Sequence, residues 1–244
     1  SALVAVGAAG HQSALAQNSN TSLMLEEVVV TAQKREESVQ DVPISITALS
    51  ETDLERRGVQ NVGDLINGIP NVGGYEAPGA RGNVSFSMRG IGSGSPSNLS
   101  VDPANALNID GVYLGKQIGS ALDVAEIERI EVLRGPQGTL YGRNSTGGAI
   151  NFITRRPTGE FGGTFTGTVG TDGIWGGKVT LYTGTLGEVG VGLGALSASF
   201  GYQKRERDEL YDNTNSDFDD FQDLDREGYR IALRWDVNER LSVD

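Results

Sequence analysis

From Gly162 onward the chain alternates large apolar residues with small or polar ones, and that period of two leaves it few ways to fold. Phe165 and Val169 alternate with Thr164, Thr166 and Thr168. Leu196, Ala198, Phe200 and Tyr202 alternate with Ser197, Ser199, Gly201 and Gln203, and Tyr229, Ile231, Leu233, Trp235 and Val237 with Arg230, Ala232, Arg234 and Asp236. Successive side chains of a strand point to opposite sheet faces, so each run has one apolar and one wet face. A soluble sandwich has the same period, but it rarely sets Arg230 and Arg234 behind so long an apolar face. A membrane barrel, with lipid outside and water in its lumen, fits better. Strands are expected over 162–171, 174–185, 191–205 and 226–238, joined by Thr171–Gly173, by 186–190 and by the long acidic 206–225. If the first strand runs outward from the periplasm, 206–225 lies outside the cell, where such barrels keep their long loops. Tyr229 and Trp235 suit the membrane interfaces. No run of about 18 apolar residues is present, so a helical span is not expected.

Composition narrows the chemistry. A net charge of −12 opposes a nucleic-acid partner, because phosphate binding needs a basic footprint. Cysteine is absent and His11 is the single histidine, so Ser-His-Asp and Cys-His nucleophile pairs and thiolate or histidine zinc sites are ruled out beyond position 11. The acidic stretch 206–225 lacks the glycine and final glutamate spacing of a calcium loop. Gly142 and Gly147 have the spacing of a phosphate loop, but Gly148 and Ala149 stand where Lys and Ser/Thr are required. The chain is read as a non-enzyme with no cofactor and no metal site.

The N-terminal end reads as a processed export signal. Ser1–Gly10 is apolar and small, and Ala14-Leu15-Ala16 has the form of a cleavage site, so residues 1–16 are expected to be the remnant of a longer signal peptide. A polar tail, 17–40, follows, and within it stands Glu26-Glu27-Val28-Val29-Val30-Thr31-Ala32. β-Branched residues in a row favour the extended state. An extended apolar peptide on a charged tether can add as a strand to the sheet edge of another protein.

Residues 41–157 read as a mixed α/β unit. Val42–Leu49 is a strand by content, and Ser50 with Asp53 has the form of a capped helix start, with Gly58 as the stop. Asn61 caps a second short helix that ends near Ile69-Pro70. Further strands are expected over 84–90, 106–113, 127–134 and 149–154, with a short helix around 123–127. Gly135-Pro136 and Gly138 read as turns, and Gly147-Gly148 as a tight approach to the last strand.

In order along the chain, DVPISITALS, DLINGIPNV, SFSMRGIG, NIDGVYLG and IERIEVLRGPQGTLYGRNSTGGAINFITRRP resemble the plug domain of TonB-dependent outer-membrane receptors, and EEVVVTA resembles their TonB box. The resemblance implies an α+β plug domain, a mixed sheet with short helices, followed by antiparallel strands of an incomplete transmembrane β-barrel (158–244). The family barrel has about 22 strands, of which this chain supplies the first few. The resemblance implies a cell outer membrane of a Gram-negative bacterium, with the plug in the barrel lumen and outer-membrane lipid around it. It implies that Glu26, Glu27, Val28, Val29, Val30, Thr31 and Ala32 hang in the periplasm and bind TonB. Arg89, Arg134 and Arg143 would pair with carboxylates of the barrel wall, as bidentate guanidinium groups suit. Gly92, Ser93, Gly94, Ser95, Ser97 and Asn98 would face outward and touch the ligand, although this loop lacks the aromatic residues of siderophore-receptor plug loops. The implied activity is energised uptake of a scarce ligand, a ferric siderophore by default. An oligosaccharide, vitamin B12 or a signalling-transducer role is the alternative, and the short span 17–25 leaves no room for the signalling subgroup's extra domain.

Overall fold

The computed structural model describes residues 29–31, 35, 37–59, 62–76, 83–92, 94, 98, 100–115, 126–208 and 224–244. Its elements run β1 (Val29–Val30), β2 (Glu37–Ser38), β3 (Ser45–Ser50), α1 (Glu51–Arg56), a 3₁₀ turn (Val62–Asn67), β4 (Val72–Glu76), β5 (Val84–Met88), β6 (Ile91–Gly92), β7 (Asn105–Ile109) and β8 (Val112–Leu114). They continue with β9 (Ile127–Arg134), α2 (Gly138–Tyr141), β10 (Gly148–Thr154), β11 (Gly162–Val169), β12 (Trp175–Tyr182), β13 (Leu186–Glu188), β14 (Val191–Arg207), β15 (Leu224–Asn238) and β16 (Leu241–Val243).

The N-terminal unit is built on a mixed sheet of order β3-β9-β10-β7-β8, in which only β10 and β7 run parallel. Both faces of this sheet are covered, so its central strands are buried on both sides, polar residues included. On one face Ile130, Val132, Ile150, Phe152 and Leu107 pack with Leu54 of α1, with Leu65 and Ile69, and with Val84, Phe86 and Met88 of a second small sheet, β4-β5-β6. On the other face Leu133, Ala106 and Ala149 pack with Val30 and Val42, flanked by Ile44, Ile46, Tyr113 and Tyr141. We call these the helix face and the tail face.

Local chemistry explains the element ends. Ser50 and Asp53 form the expected capping box, in which the Ser50 hydroxyl accepts from the Asp53 N–H and the Asp53 carboxylate accepts from Ser50. The chain leaves α1 through Gly58 at φ +63°. The segment expected as one strand over 106–113 is a hairpin, because Asp110 and Gly111 both take positive φ, 47° and 80°, and reverse the chain between β7 and β8. The strand expected to reach residue 90 stops at Met88, where Arg89 and Gly90 turn it into β6. The helix expected around 123–127 is contradicted at its end: Glu126 is left-handed at φ 58° and Ile127 already begins β9. β4 and α2 were not foreseen at all.

Antiparallel strands in the order β11-β12-β14-β15-β16, with β13 paired to β14, make the C-terminal sheet. Its alternation has the expected period. The apolar residues are the exposed ones: Tyr229 is 80% exposed, Ile231 69% and Leu233 58%, while Thr180, Ser197 and Ser199 are buried at 2–4%. The polar face turns inward, toward the N-terminal unit, and the apolar face turns out.

Candidate functional site

Two places join segments that are far apart in sequence. The first is the tail face. Val29 and Val30 pair with Ser38 and Glu37 as a two-residue antiparallel ladder. Alternation exposes Val29 and sends Val30 inward, where it is fully buried against Leu133, Ala149 and Val42. Thr31 then meets Glu131, with its N–H donating to Glu131 Oε1 at 2.7 Å and its hydroxyl donating to the same oxygen at 3.1 Å. Arg129 Nε donates to that oxygen as well, at 3.0 Å. Glu131 itself is completely buried, and its Oε2 has no hydrogen-bond partner.

Glu131 belongs to a row that crosses the tail face. Register sets Ala48, Glu131, Asn151, Asn108 and Tyr113 side by side on the five strands. Asn108 Nδ2 donates to Asn151 Oδ1 at 3.0 Å, and Asn151 Nδ2 donates to the Tyr141 hydroxyl at 2.8 Å. Burial raises the Tyr141 phenol above its ordinary value; the Asn151 hydrogen bond opposes this, and the negative charge of Glu131 adds to it. Asn144 Nδ2 donates to the Tyr113 hydroxyl at 2.7 Å, so the row is held partly by its own Asn108–Asn151 bond and partly by Tyr141 and Asn144 beside it.

The second place is the seam between the N-terminal unit and the inward face of the C-terminal sheet. Arg230 Nη1 donates to Glu126 Oε2 at 2.8 Å, and its Nη2 donates to Thr154 Oγ1 at 2.6 Å. The Glu126 side chain is 99% buried, since its exposure is 1%. Gly201 of β14 lies against it: a Cβ there would sit 2.9 Å from the Glu126 carboxylate carbon, so the bare backbone makes room for the pair. Arg155 pairs with Glu51 of α1 beside it. Above the pair a cavity of about 340 Å³ separates α1 from β11, β12 and β14, lined by Glu51, Glu55, Lys178, Gln203 and Arg205 among others.

The expected site residues distribute unevenly over this geometry. Glu26, Glu27, Val28 and Ala32 lie outside the described residues, as do Ser93, Ser95, Ser97 and the leader 1–16. Val29, Val30 and Thr31 were expected to hang free; here they are docked, because Val30 fills an apolar socket and Thr31 satisfies a buried carboxylate. Gly92 was expected in an outward loop; it pairs in β6 with Ser87, whose Cβ would lie 2.8 Å from a Cβ at this position. The Gly94 carbonyl accepts from Ser85 Oγ at 3.3 Å, and Asn98 Oδ1 accepts from the Ser100 N–H at 3.0 Å.

The three expected arginines make contacts inside the N-terminal unit. Arg134 donates to the carbonyl of Pro70 at 3.0 Å and to Thr47 Oγ1 at 2.9 Å. Arg143 stands 3.7 Å from Asp102, with both side chains largely exposed. Arg89 is exposed, and its guanidinium lies near Gly135. Among the described residues two ion pairs cross the seam: the more exposed Arg156–Asp244 pair, at 3.1 Å, has the expected polarity, and the buried pair has the opposite one, with the acid, Glu126, on the N-terminal unit and the base, Arg230, on the strand. The signal for the buried pair was an arginine on the inward face of an amphipathic strand; its partner was not readable from sequence.

Residues 38–149 match the family model of the TonB-dependent receptor plug domain. The iron-regulated outer membrane virulence protein of Vibrio cholerae is 37% identical over 144 residues, 57% of this chain and 21% of that protein. The catecholate siderophore receptor Fiu of Escherichia coli is 31% identical over 166 residues, 66% of this chain and 20% of that one. The chain thus spans about a fifth of the length of these relatives. The vitamin B12 transporter BtuB of Photobacterium profundum is 27% identical over 86% of this chain and 34% of its own. Among solved structures, the ferric yersiniabactin uptake receptor FyuA of Yersinia pestis superposes with a TM-score of 0.68 at 25% identity, over 80% of this chain and 29% of that one. The pyoverdine receptor FpvA of Pseudomonas aeruginosa shares the fold with a TM-score of 0.67, at 20% identity, over 86% of this chain and 28% of its own. Receptors and transporters, not enzymes, make up this set.

Proposed function

Since this chain carries the plug domain of a TonB-dependent receptor, we propose that it is the N-terminal part of an outer-membrane transporter that takes up a ferric siderophore at the expense of force applied by TonB to residues 26–32. One observation carries the reading: a plug sheet is joined through a buried Glu126–Arg230 pair to strands whose apolar face points outward. A sheet with that inverted polarity is stable where the surroundings are lipid and the inside is filled by a polar plug. The division into tail 17–40, plug 41–157 and barrel from 158 follows the same logic. The siderophore is preferred because catecholate and yersiniabactin receptors stand among its relatives and neighbours. The vitamin B12 transporter, similar over most of this chain, makes cobalamin the second cargo to try.

In this mechanism the ligand binds on the outer side, the valine segment is captured by strand addition to TonB, and tension rearranges the plug. Strand addition needs main-chain donors and acceptors. Val29→Pro removes one donor and fixes φ, so it abolishes capture without touching the ligand side. The test is growth of a strain lacking the full-length gene, complemented with the wild type or Val29→Pro, on ferric siderophores or cobalamin, with labelled-ligand uptake measured. The wild type restores uptake of one ligand and Val29→Pro does not. Equal uptake by both removes TonB coupling through this segment.

A further inference from the structure

We infer that Glu131 is a latch that holds residues 29–31 on the plug and keeps them from their partner until they are released. The inference rests on the reading of residues 26–32 as the partner's site, and adds to it the residue that controls their availability.

The period of β9 calls for an apolar side chain at position 131: its tail-face neighbour on the strand is Leu133, and both are fully buried. A carboxylate there is costly unless hydrogen bonded. Its hydrogen bonds come from Arg129 and, twice, from Thr31, a residue 100 positions away. These three donors converge on one oxygen, while Oε2 stays buried and unpartnered. A carboxylate satisfied on one oxygen only holds its guest specifically but not tightly. Losing the guest leaves it to Arg129 alone; keeping it leaves Oε2 unserved.

Docking and capture exclude each other. The Thr31 N–H is given to Glu131, β2 lies along one edge of Val29–Val30, and the Val30 side chain is in its socket. A partner that adds a strand to this segment requires the same backbone groups. Capture therefore scales with the released population, and the free energy of the latch lowers apparent affinity for the partner by the same factor.

Residues 1–244 contain no cysteine, so once any cysteine elsewhere in the full-length protein is replaced by serine, a single introduced thiol reads the latch. Val30→Cys places a thiol in the socket, and Val29→Cys places one on the exposed side as a control. In the detergent-solubilised full-length protein, a soluble maleimide labels position 29 quickly and position 30 slowly. Adding Glu131→Leu, which keeps the strand apolar, raises the rate at position 30 about tenfold or more, the size expected for losing charge-assisted hydrogen bonds. Thr31→Val, which removes only the hydroxyl donor and leaves β9 untouched, raises it by a smaller factor, and Glu131→Gln, which keeps an acceptor oxygen, falls between wild type and Glu131→Leu. Capture by the periplasmic C-terminal domain of TonB, measured without ligand, rises in the same order. If labelling rises while capture does not, the latch stands and the assignment of 26–32 to TonB falls. An unchanged rate at position 30 in both Glu131→Leu and Thr31→Val, or equal rates at 29 and 30 in the wild type, overturns the latch; should Glu131→Leu fail to fold, Thr31→Val alone decides.

Discussion

The plug sheet and the barrel sheet obey one geometric rule with opposite results. In both, side chains alternate from face to face. In the plug, Ile130, Val132, Ile150 and Phe152 are all but completely buried beneath α1 and the small sheet. In β14 and β15, Phe200, Ile231 and Leu233 face out, and Ser197, Ser199 and Arg230 face in. A period of two says that a strand has two faces and nothing about which of them is inside. That is decided by what surrounds the sheet: water drives apolar groups inward, whereas lipid leaves them outside and drives polar groups toward the lumen.

The comparison breaks most visibly at the outward face. Ile231→Arg in the full-length protein places a charge where lipid is expected, at a cost of about 2–4 kcal/mol near the bilayer midplane. Reversible folding into lipid vesicles, followed by tryptophan fluorescence against denaturant, reads this directly. A surface exposed to water instead tolerates the same change within about 0.5 kcal/mol, and that outcome removes the lipid-facing assignment.

A smaller effect sharpens the seam between the two regions. Glu126→Gln leaves Arg230 half-buried and without its counter-charge, which costs about 1–3 kcal/mol when a buried partner is lost. Amide hydrogen exchange is expected to rise both at the start of β9 and along the middle of β15, because the pair ties them together. Loss of protection in β9 alone shows instead that Glu126 serves only the plug.

How far the fold was legible follows the same division. β5, β9 and β10 were readable from their β-branched and aromatic content, the α1 start from Ser50 and Asp53, and the barrel strands from alternation. β4 was hidden because Gly73 and Gly74 carry no strand signal; it exists because it pairs with β5, with Ser87 Oγ only 3.1 Å from where a Gly73 Cβ would be. The β7–β8 hairpin was visible in Asp110-Gly111 and was overridden by apolar neighbours on both sides. At the tail, the valines were legible as extended chain, but their docking depends on a carboxylate 100 positions later, and no local pattern carries that. The Arg230–Glu126 pair escaped for the same reason: one partner stood out in its strand, and the other was chosen by tertiary packing.

The smallest effect tests whether the plug's local code stands apart from its packing. The Ser50 hydroxyl both accepts from the Asp53 N–H at 3.3 Å and donates to the Asp53 carboxylate at 3.0 Å. Ser50→Ala removes both contacts and costs about 1 kcal/mol, the usual worth of a helix cap. The Ser50 hydrogen bond is also the main reason the Asp53 carboxyl lies below its ordinary value of 3.8; Arg56 assists, and partial burial opposes. A carboxyl depressed in the folded state adds stability above its unfolded value and loses it as pH falls through the folded one. Exchange protection of α1 is therefore flat above pH 3.8 and falls below it, whereas in Ser50→Ala the protection is lower throughout and its acid decline is shallower, because little depression remains to be lost. An unaltered acid profile in Ser50→Ala assigns the depression to Arg56 and leaves the cap as hydrogen-bond geometry without charge.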